Sequence, residues 1–329
     1  MATEGEIQHQ IQAFLTARLG SGARAVGMQR VAVGRSRENW LFDAVWPGPS
    51  GELREPLIVR RDPLGGLLET DRGDEFAVLQ ALETTAVPAP HARWLDATGE
   101  SLGRPCLVMV RERGECDYFV INGDRPLAER VALAKRFCEL LVEVHRVPWQ
   151  SVGLSDVTPD PGPAAAMAEL AHWEAILRRD QVEPYPELEL AAHWLAAHAP
   201  QSPHTVLVHG DFKPGNVLLQ DGQIVALLDW ELAHLGDPHE DLGWVTQPLR
   251  TREHLIPGAW ERAQLLDYYE KLTGTEVDPV AVDWWNVLAC YKTAVMQASG
   301  LRSYIEGRCD EFYQPSADVL RTLLELTEA

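Results

Sequence analysis

The stretch from Val206 to Glu231 constrains this chain more than any other. Three short runs rich in Val, Ile and Leu, at 206–208, 217–219 and 224–228, are bounded by turn residues, which is the pattern of buried strands. Asp221-Gly222 between the second and third is a hairpin signal, because both residue types tolerate the positive φ of a tight two-residue turn. The polar residues His209, Asp211, Asn216 and Asp229 therefore fall at strand ends, where a rigid scaffold can hold side chains beside a cleft.

Their order is His-x-Asp, an Asn five residues after the Asp, and a further Asp closing the next hairpin strand. Phosphoryl transfer from ATP needs a carboxylate that accepts or orients the proton of the attacking hydroxyl. It also needs oxygen ligands that hold Mg²⁺ against the phosphates. Asp211 can supply the first, and Asn216 with Asp229 the second. Singly, each has a structural reading: Asp211 a turn residue, Asn216 a cap, Asp229 a solvated loop carboxylate. The joint spacing is what points to chemistry. A metal hydrolase built on His209, Asp211 and Asp229 lacks the further histidine ligands such centres use nearby.

His209-x-Asp211-x-x-x-x-Asn216 with Asp229 resembles the catalytic loop and metal-binding aspartate of the protein-kinase-like fold, with His-Gly-Asp where protein kinases have His-Arg-Asp. With Leu235-Gly236-Asp237-Pro238 and Asp241-Leu242-Gly243 added, the chain resembles the aminoglycoside phosphotransferase and choline kinase superfamily. Leu228-Asp229-Trp230-Glu231 is further similar to the phosphotransferase domains associated with acyl-CoA dehydrogenases in some eukaryotes. The resemblance implies an α+β, bilobal protein-kinase-like fold, with a small antiparallel-sheet N-lobe (1–110), a hinge (111–114) and a larger, mostly helical C-lobe (115–329). It implies Asp211 as the catalytic residue, Asn216 and Asp229 as metal ligands, ATP and Mg²⁺ as cofactors, and a small-molecule hydroxyl as acceptor. His209 and Asp241 would support the catalytic loop, although capping the helix that follows is an equal reading for Asp241.

The first lobe carries the nucleotide contacts that the resemblance implies. A helix over 4–19 buries Ile7, Ile11, Phe14 and Leu15 at helical spacing. Strands over 28–33 and 40–46 flank a small polar turn, in which Gly34 and Ser36, with Asn39, loosely match the family's phosphate-covering loop. Neither G-x-G-x-x-G nor G-x-x-x-x-G-K-[ST] occurs, which excludes a P-loop NTPase. A strand over 56–61 ends in two cations, and Arg60 occupies the place where kinases carry the lysine that contacts the phosphates. Its partner would be Glu75 on the helix over 74–82, with Asp74 and Glu69 as alternatives and a solvated ion pair as the rival account. The strand over 105–111 puts Val110, with Met109, on the wall of the adenine pocket.

Beyond the hinge, helices are expected over 127–145, 163–179, 185–197 and 280–301. His145 reads as a packed histidine, and 234–238 as a turn. In relatives the pair over 163–197 covers the substrate cleft. The formal charge of −20 argues against nucleic acid or an anionic membrane as partner, and no run approaches the roughly eighteen apolar residues of a membrane span. Five scattered cysteines without C-x-x-C pairing, and an acidic start with no signal peptide, point to a cytoplasmic protein with no obligate protein partner. Two alternatives stand beside a general small-molecule kinase. One is an aminoglycoside or macrolide phosphotransferase; the other is a degenerate module that binds nucleotide or metabolite without turnover.

Overall fold

The computed structural model describes residues 3–31 and 38–328. Helix α1 (Glu4–Leu19) starts at Thr3, whose hydroxyl and Glu6 form a reciprocal capping box. A five-stranded antiparallel sheet follows: β1 (Arg24–Val31), β2 (Glu38–Gly48), β3 (Gly51–Arg61), β4 (Ala92–Asp96) and β5 (Cys106–Val110), in the order β1-β2-β3-β5-β4. Helix α2 (Arg72–Leu82) connects β3 to β4. The sequence shows β3 only from Pro56. In the structure it begins at Gly51 and forms a tight hairpin with β2, Gly48 opposite Gly51, so Glu52 to Glu55 are ladder residues rather than loop.

Strand alternation sorts the sheet into two faces. Trp40, Phe42, Ala44, Leu57, Val59 and Val108 pack with Ile7, Ile11, Phe14 and Leu15 of α1. The opposite face, with Ile58 and Met109, joins a second cluster built from α2 and the remainder of the chain. One face is therefore closed by α1 and the other is given to the cleft.

The remainder is mostly helical. It comprises α3 (Leu127–His145), α4 (Ala165–Asp180), α5 (Pro186–His198), β6 (Val206–Val208), β7 (Val217–Gln220), β8 (Gln223–Leu227), β9 (His234–Gly236), α6 (Pro238–Thr246), α7 (Thr251–His254), α8 (Arg262–Thr273), α9 (Pro279–Ile305) and α10 (Ala317–Glu328). The β7–β8 hairpin turns at Asp221-Gly222, both at positive φ (51° and 77°) as the sequence anticipates. His234–Gly236 is not a turn: it pairs antiparallel with β6 and so braces the strand that leads into His209. A separate core joins α4, α5, α9 and α10 around Trp173, Trp284, Trp285 and Tyr291. Helices α6 and α9 cross so closely at Gly243 that a Cβ there would lie 2.4 Å from the Trp285 Cβ. Among the described residues, no helix is long and apolar enough to cross a membrane.

Candidate active site

The loop after β6 is held from behind. Asp241, fully buried in the first turn of α6, accepts the backbone N–H groups of His209 (2.8 Å) and Gly210 (3.0 Å). Burial alone would raise its carboxyl, but the His145 hydrogen bond and the two imidazoles bring it below the ordinary carboxylate range, so it serves as an anionic acceptor. The N-cap of α6 is Asp237, which accepts from the His239 N–H at 2.8 Å, and the capping reading of Asp241 is therefore corrected. His145 is packed, as expected, yet it also bridges Asp241 Oδ2 (3.1 Å) and the Tyr269 hydroxyl (2.6 Å).

His209 is wholly buried against Trp230 and Phe212. Burial depresses its basicity more than Asp241 and Asp211 raise it. Its partners match a neutral ring with the proton on Nε2: that nitrogen faces the Leu228 carbonyl at 3.0 Å, while Nδ1 accepts the Asp211 N–H at 3.2 Å. Gly210, between the two, has φ +77°, and a Cβ there would approach the Leu232 carbonyl oxygen to 2.7 Å. Glycine is required for the turn that presents Asp211.

Asn216 donates its Nδ2 to both the carbonyl and the Oδ2 of Asp211, at 3.0 Å each. Its own carbonyl accepts the Leu228 N–H at 2.8 Å, which sets Asn216 beside Asp229. Asp229 stands in the left-handed region (φ 68°, ψ 56°), a conformation that costs a non-glycine residue about 1–3 kcal/mol and turns its carboxylate away from the strand it ends. Across the cleft, Arg60 Nη2 binds Asp229 Oδ1 at 2.6 Å and Arg60 Nη1 lies 3.4 Å from Glu75 Oε1. Burial opposes this guanidinium, but Asp229 and Glu75 more than offset it and raise its pKa. Glu75 also pairs with Arg72, which reaches Asp62 at 2.5 Å.

Asp211 and Asp229 line one cavity of about 450 Å³. Asn216 and Arg60 stand a layer behind, each bonded to one of those carboxylates. The cavity's walls come from loop 62–70 and from Trp244, Thr293, Met296 and Tyr313. The loop is tied to the end of α9 and the segment after it by Ser303 to the Gly66 carbonyl (3.0 Å) and Arg308 to Glu69 (3.0 Å). Among the described residues lining this space none belongs to α4 or α5, which pack against α9, although Arg179 of α4 lies 3.7 Å from Glu69 of the loop. The donor set of Asp229 and Asn216 is carboxylate and amide oxygen without sulfur, a hard set that fits Mg²⁺.

Two further placements differ from expectation. Val110 packs with the α1 cluster, because it pairs opposite Leu57 on that face; Met109 and Ile58 point the other way, and the Val110 N–H is taken by the His91 carbonyl. The assignment of Val110 to the adenine wall is thereby corrected. Gly34 and Ser36 lie outside the described residues.

The family model for the APH phosphotransferase enzyme family matches residues 28–280. The chain belongs to that family. A rat protein, acyl-CoA dehydrogenase family member 11, is 30% identical over 274 residues, covering 77% of this chain and 34% of the relative. The chain thus spans about a third or less of the curated relatives it matches. Among solved structures, a candidate aminoglycoside phosphotransferase from Ralstonia eutropha superposes with a TM-score of 0.71 at 21% identity, covering 97% of this chain and 94% of that one. The streptomycin–ATP ternary complex of APH(2″)-IIa gives 0.58 at 16%, covering 91% of each chain. At such identities the likeness is one of fold.

This member of the APH family carries one residue at the candidate site that the spacing of Asp211, Asn216 and Asp229 did not single out. Lys213 Nζ lies 2.5 Å from Asp211 Oδ2 and 5.9 Å from the Tyr118 ring centre. Burial works against the Lys213 cation, and Asp211 more than restores it. Lys213 is extended (φ −154°, ψ 154°), and in extended chain residues two apart share a side, so the Asp-x-Lys spacing itself was the available signal.

Proposed function

We propose that this protein transfers the γ-phosphoryl group of ATP, as its Mg²⁺ complex, to a hydroxyl of a small molecule. The observation that carries the reading is that Asp211 and Asp229, separated along the chain, line one cavity and are linked through Asn216. Its volume of about 450 Å³ suits a small acceptor, since ligand pockets run roughly 300–1,000 Å³.

Asp211 accepts the proton of the attacking hydroxyl, and the Asn216 amide holds its carboxylate in one orientation. Lys213, paired with Asp211, offers a cation toward the oxygens of the phosphoryl group in transfer. Arg60, steadied by Glu75, neutralises the α- and β-phosphates once nucleotide takes over its present bond to Asp229. Asp229 and Asn216 would hold Mg²⁺, which when bound offsets the phosphate charge. Residues 111–114 serve as the hinge between lobes 1–110 and 115–329, and the protein works in the cytoplasm without an obligate protein partner.

The test is Asp211→Asn. Turnover of Mg-ATP should fall by about 10²–10⁴-fold while nucleotide binding, measured by calorimetry, persists. Full turnover in that variant rejects the assignment. Incubation with aminoglycosides, macrolides, amino alcohols and hydroxyacyl thioesters, scored by product mass, identifies the acceptor, and absence of any phosphorylated product would leave only a binding role.

A further inference from the structure

Lys292 of α9 is buried in the middle of the helical part, and nothing in the phosphoryl-transfer chemistry above uses it. Its Nζ donates to the Gly210 carbonyl at 2.8 Å. On either side stand the faces of Trp173 and Trp244, with ring centres 5.2 and 5.1 Å away. Glu240 Oε1, which accepts no hydrogen bond among the described residues, faces Lys292 Nζ at 3.6 Å. The other oxygen of Glu240 meets His234 Nε2 at 3.1 Å, and Glu169 of α4 approaches the same nitrogen at 3.6 Å.

This places a cation at the one peptide that matters most to the catalytic loop. The Gly210 N–H is fixed by Asp241 and the Gly210 carbonyl by Lys292, so both sides of the residue preceding Asp211 are held. The next residue on α9, Thr293, and then Met296 and Gln297 line the cavity. One helix therefore both walls the acceptor space and grips the turn that presents Asp211. We propose that Lys292 is a positioning residue: by fixing the Gly210–Asp211 peptide to α9, it sets the distance between the proton-accepting carboxylate and the wall against which the acceptor lies. The inference rests on the reading of Asp211 as that base.

The surrounding charges explain how a lysine can be kept there. Glu169 and Glu240 face the cations of Lys292 and His234: burial raises the Glu240 carboxyl against the pull of His234, while His234 and Lys292 hold Glu169 below the ordinary carboxylate range. Burial disfavours the imidazolium, yet Glu240 and Glu169 push His234 up to about 10. His234 Nδ1 faces the Leu232 carbonyl at 2.9 Å, so a proton on each ring nitrogen finds an oxygen. Glu169, His234 and Glu240 could also surround a metal ion, since their ligand atoms lie within 4.8 Å of one another. The neighbouring Lys292 favours a proton over a second cation at that centre.

The test uses Lys292→Met, which keeps an unbranched chain between the two indoles, and Lys292→Met combined with Glu240→Gln, which also removes the carboxylate left facing it. In the double variant the thermal midpoint should return close to that of the parent. Turnover of Mg-ATP should remain about 10–100-fold low with KM for ATP unchanged, and the amides of His209 to Asp211 should exchange faster with deuterium. A residue that served stability alone would give turnover back together with the melting point, and that result, or unchanged exchange, overturns the proposal. So would one equivalent of bound metal in the parent protein that is lost in Glu169→Gln. Should neither variant fold, a crystal structure of the parent with Mg-AMP-PNP decides. Lys292 Nζ must remain about 2.9 Å from the Gly210 carbonyl, and separation of the pair rejects the role. Full turnover in Asp211→Asn would instead remove the base assignment while leaving the exchange result to judge the Lys292 grip.

Discussion

His254 stacks near Phe212 of the loop after β6, ring centres 6.5 Å apart, and its Nε2 has no hydrogen-bond partner among the described residues. Burial, then the charges of Arg250 and Lys213, push it down to about 3. A base whose folded pKa lies below its unfolded value gives stability that is intact above about pH 6.5, because the unfolded chain then gains nothing by protonation. That stability drains away as the pH falls toward the folded pKa, at about 1.4 kcal/mol per pH unit for one group. Replacing His254 by Phe should lessen the slope of unfolding free energy between about pH 6 and 4 by roughly that amount, read from urea titrations at stepped pH. An unchanged slope would remove His254 as the origin. At this scale the sequence brought Asp211, Asn216 and Asp229 together by spacing, because their types and intervals suit one reaction, and the structure sets the three side by side. Val110 was misplaced because which face a strand residue takes depends on register with β3, and register is a long-range fact.

Elements were legible where their signals are local. The helix over 127–145 has the same bounds in the structure, since its apolar period and its proline N-terminus both lie in the sequence. The start of α6 was equally available: Asp237 before Pro238 is the pattern of a cap with proline at the first helical position, and that rule outranks Asp241 four residues on. The strand at 234–236 escaped because three residues carry too little pattern, and only pairing with β6 makes them a strand. Helix α6 depends on contact with α9 as well. Gly243 meets Trp285 there, and Asn286 Nδ2 donates to the Gly243 carbonyl at 2.6 Å. Gly243→Ala gains helix propensity of about 1 kcal/mol yet forces two helices apart, and overpacking of this kind costs about 1–3 kcal/mol. A net loss of stability in denaturant titration is expected, and a stabilised variant would show that the crossing can relax.

On the scale of the whole molecule, two ion pairs and a hydrogen bond span the cleft: Arg60 reaches Asp229, Arg308 reaches Glu69 and the Thr70 hydroxyl donates to Glu231, each joining the sheet or its following loop to the helical part. A ligand that bridges the same parts should stabilise them together. Mg-ATP at about a hundred times its Kd adds roughly 2.7 kcal/mol, which for a chain of this length is a shift in Tm of about 4 °C. ATP with EDTA should give no such shift, and neither should Mg-ATP with Asp229→Ala. Equal shifts with and without the metal would exclude Asp229 as its ligand. The sequence by itself determined the family, the strand–loop–hairpin that carries Asp211, Asn216 and Asp229, and most helices, because those follow from residue type and short-range period. Only the tertiary structure decided that Lys213 meets Asp211, that Lys292 meets the Gly210 carbonyl, and that loop 62–70 and α9 wall the cavity. Each of these depends on residues far apart in the chain meeting in space, and no local periodicity encodes such a meeting.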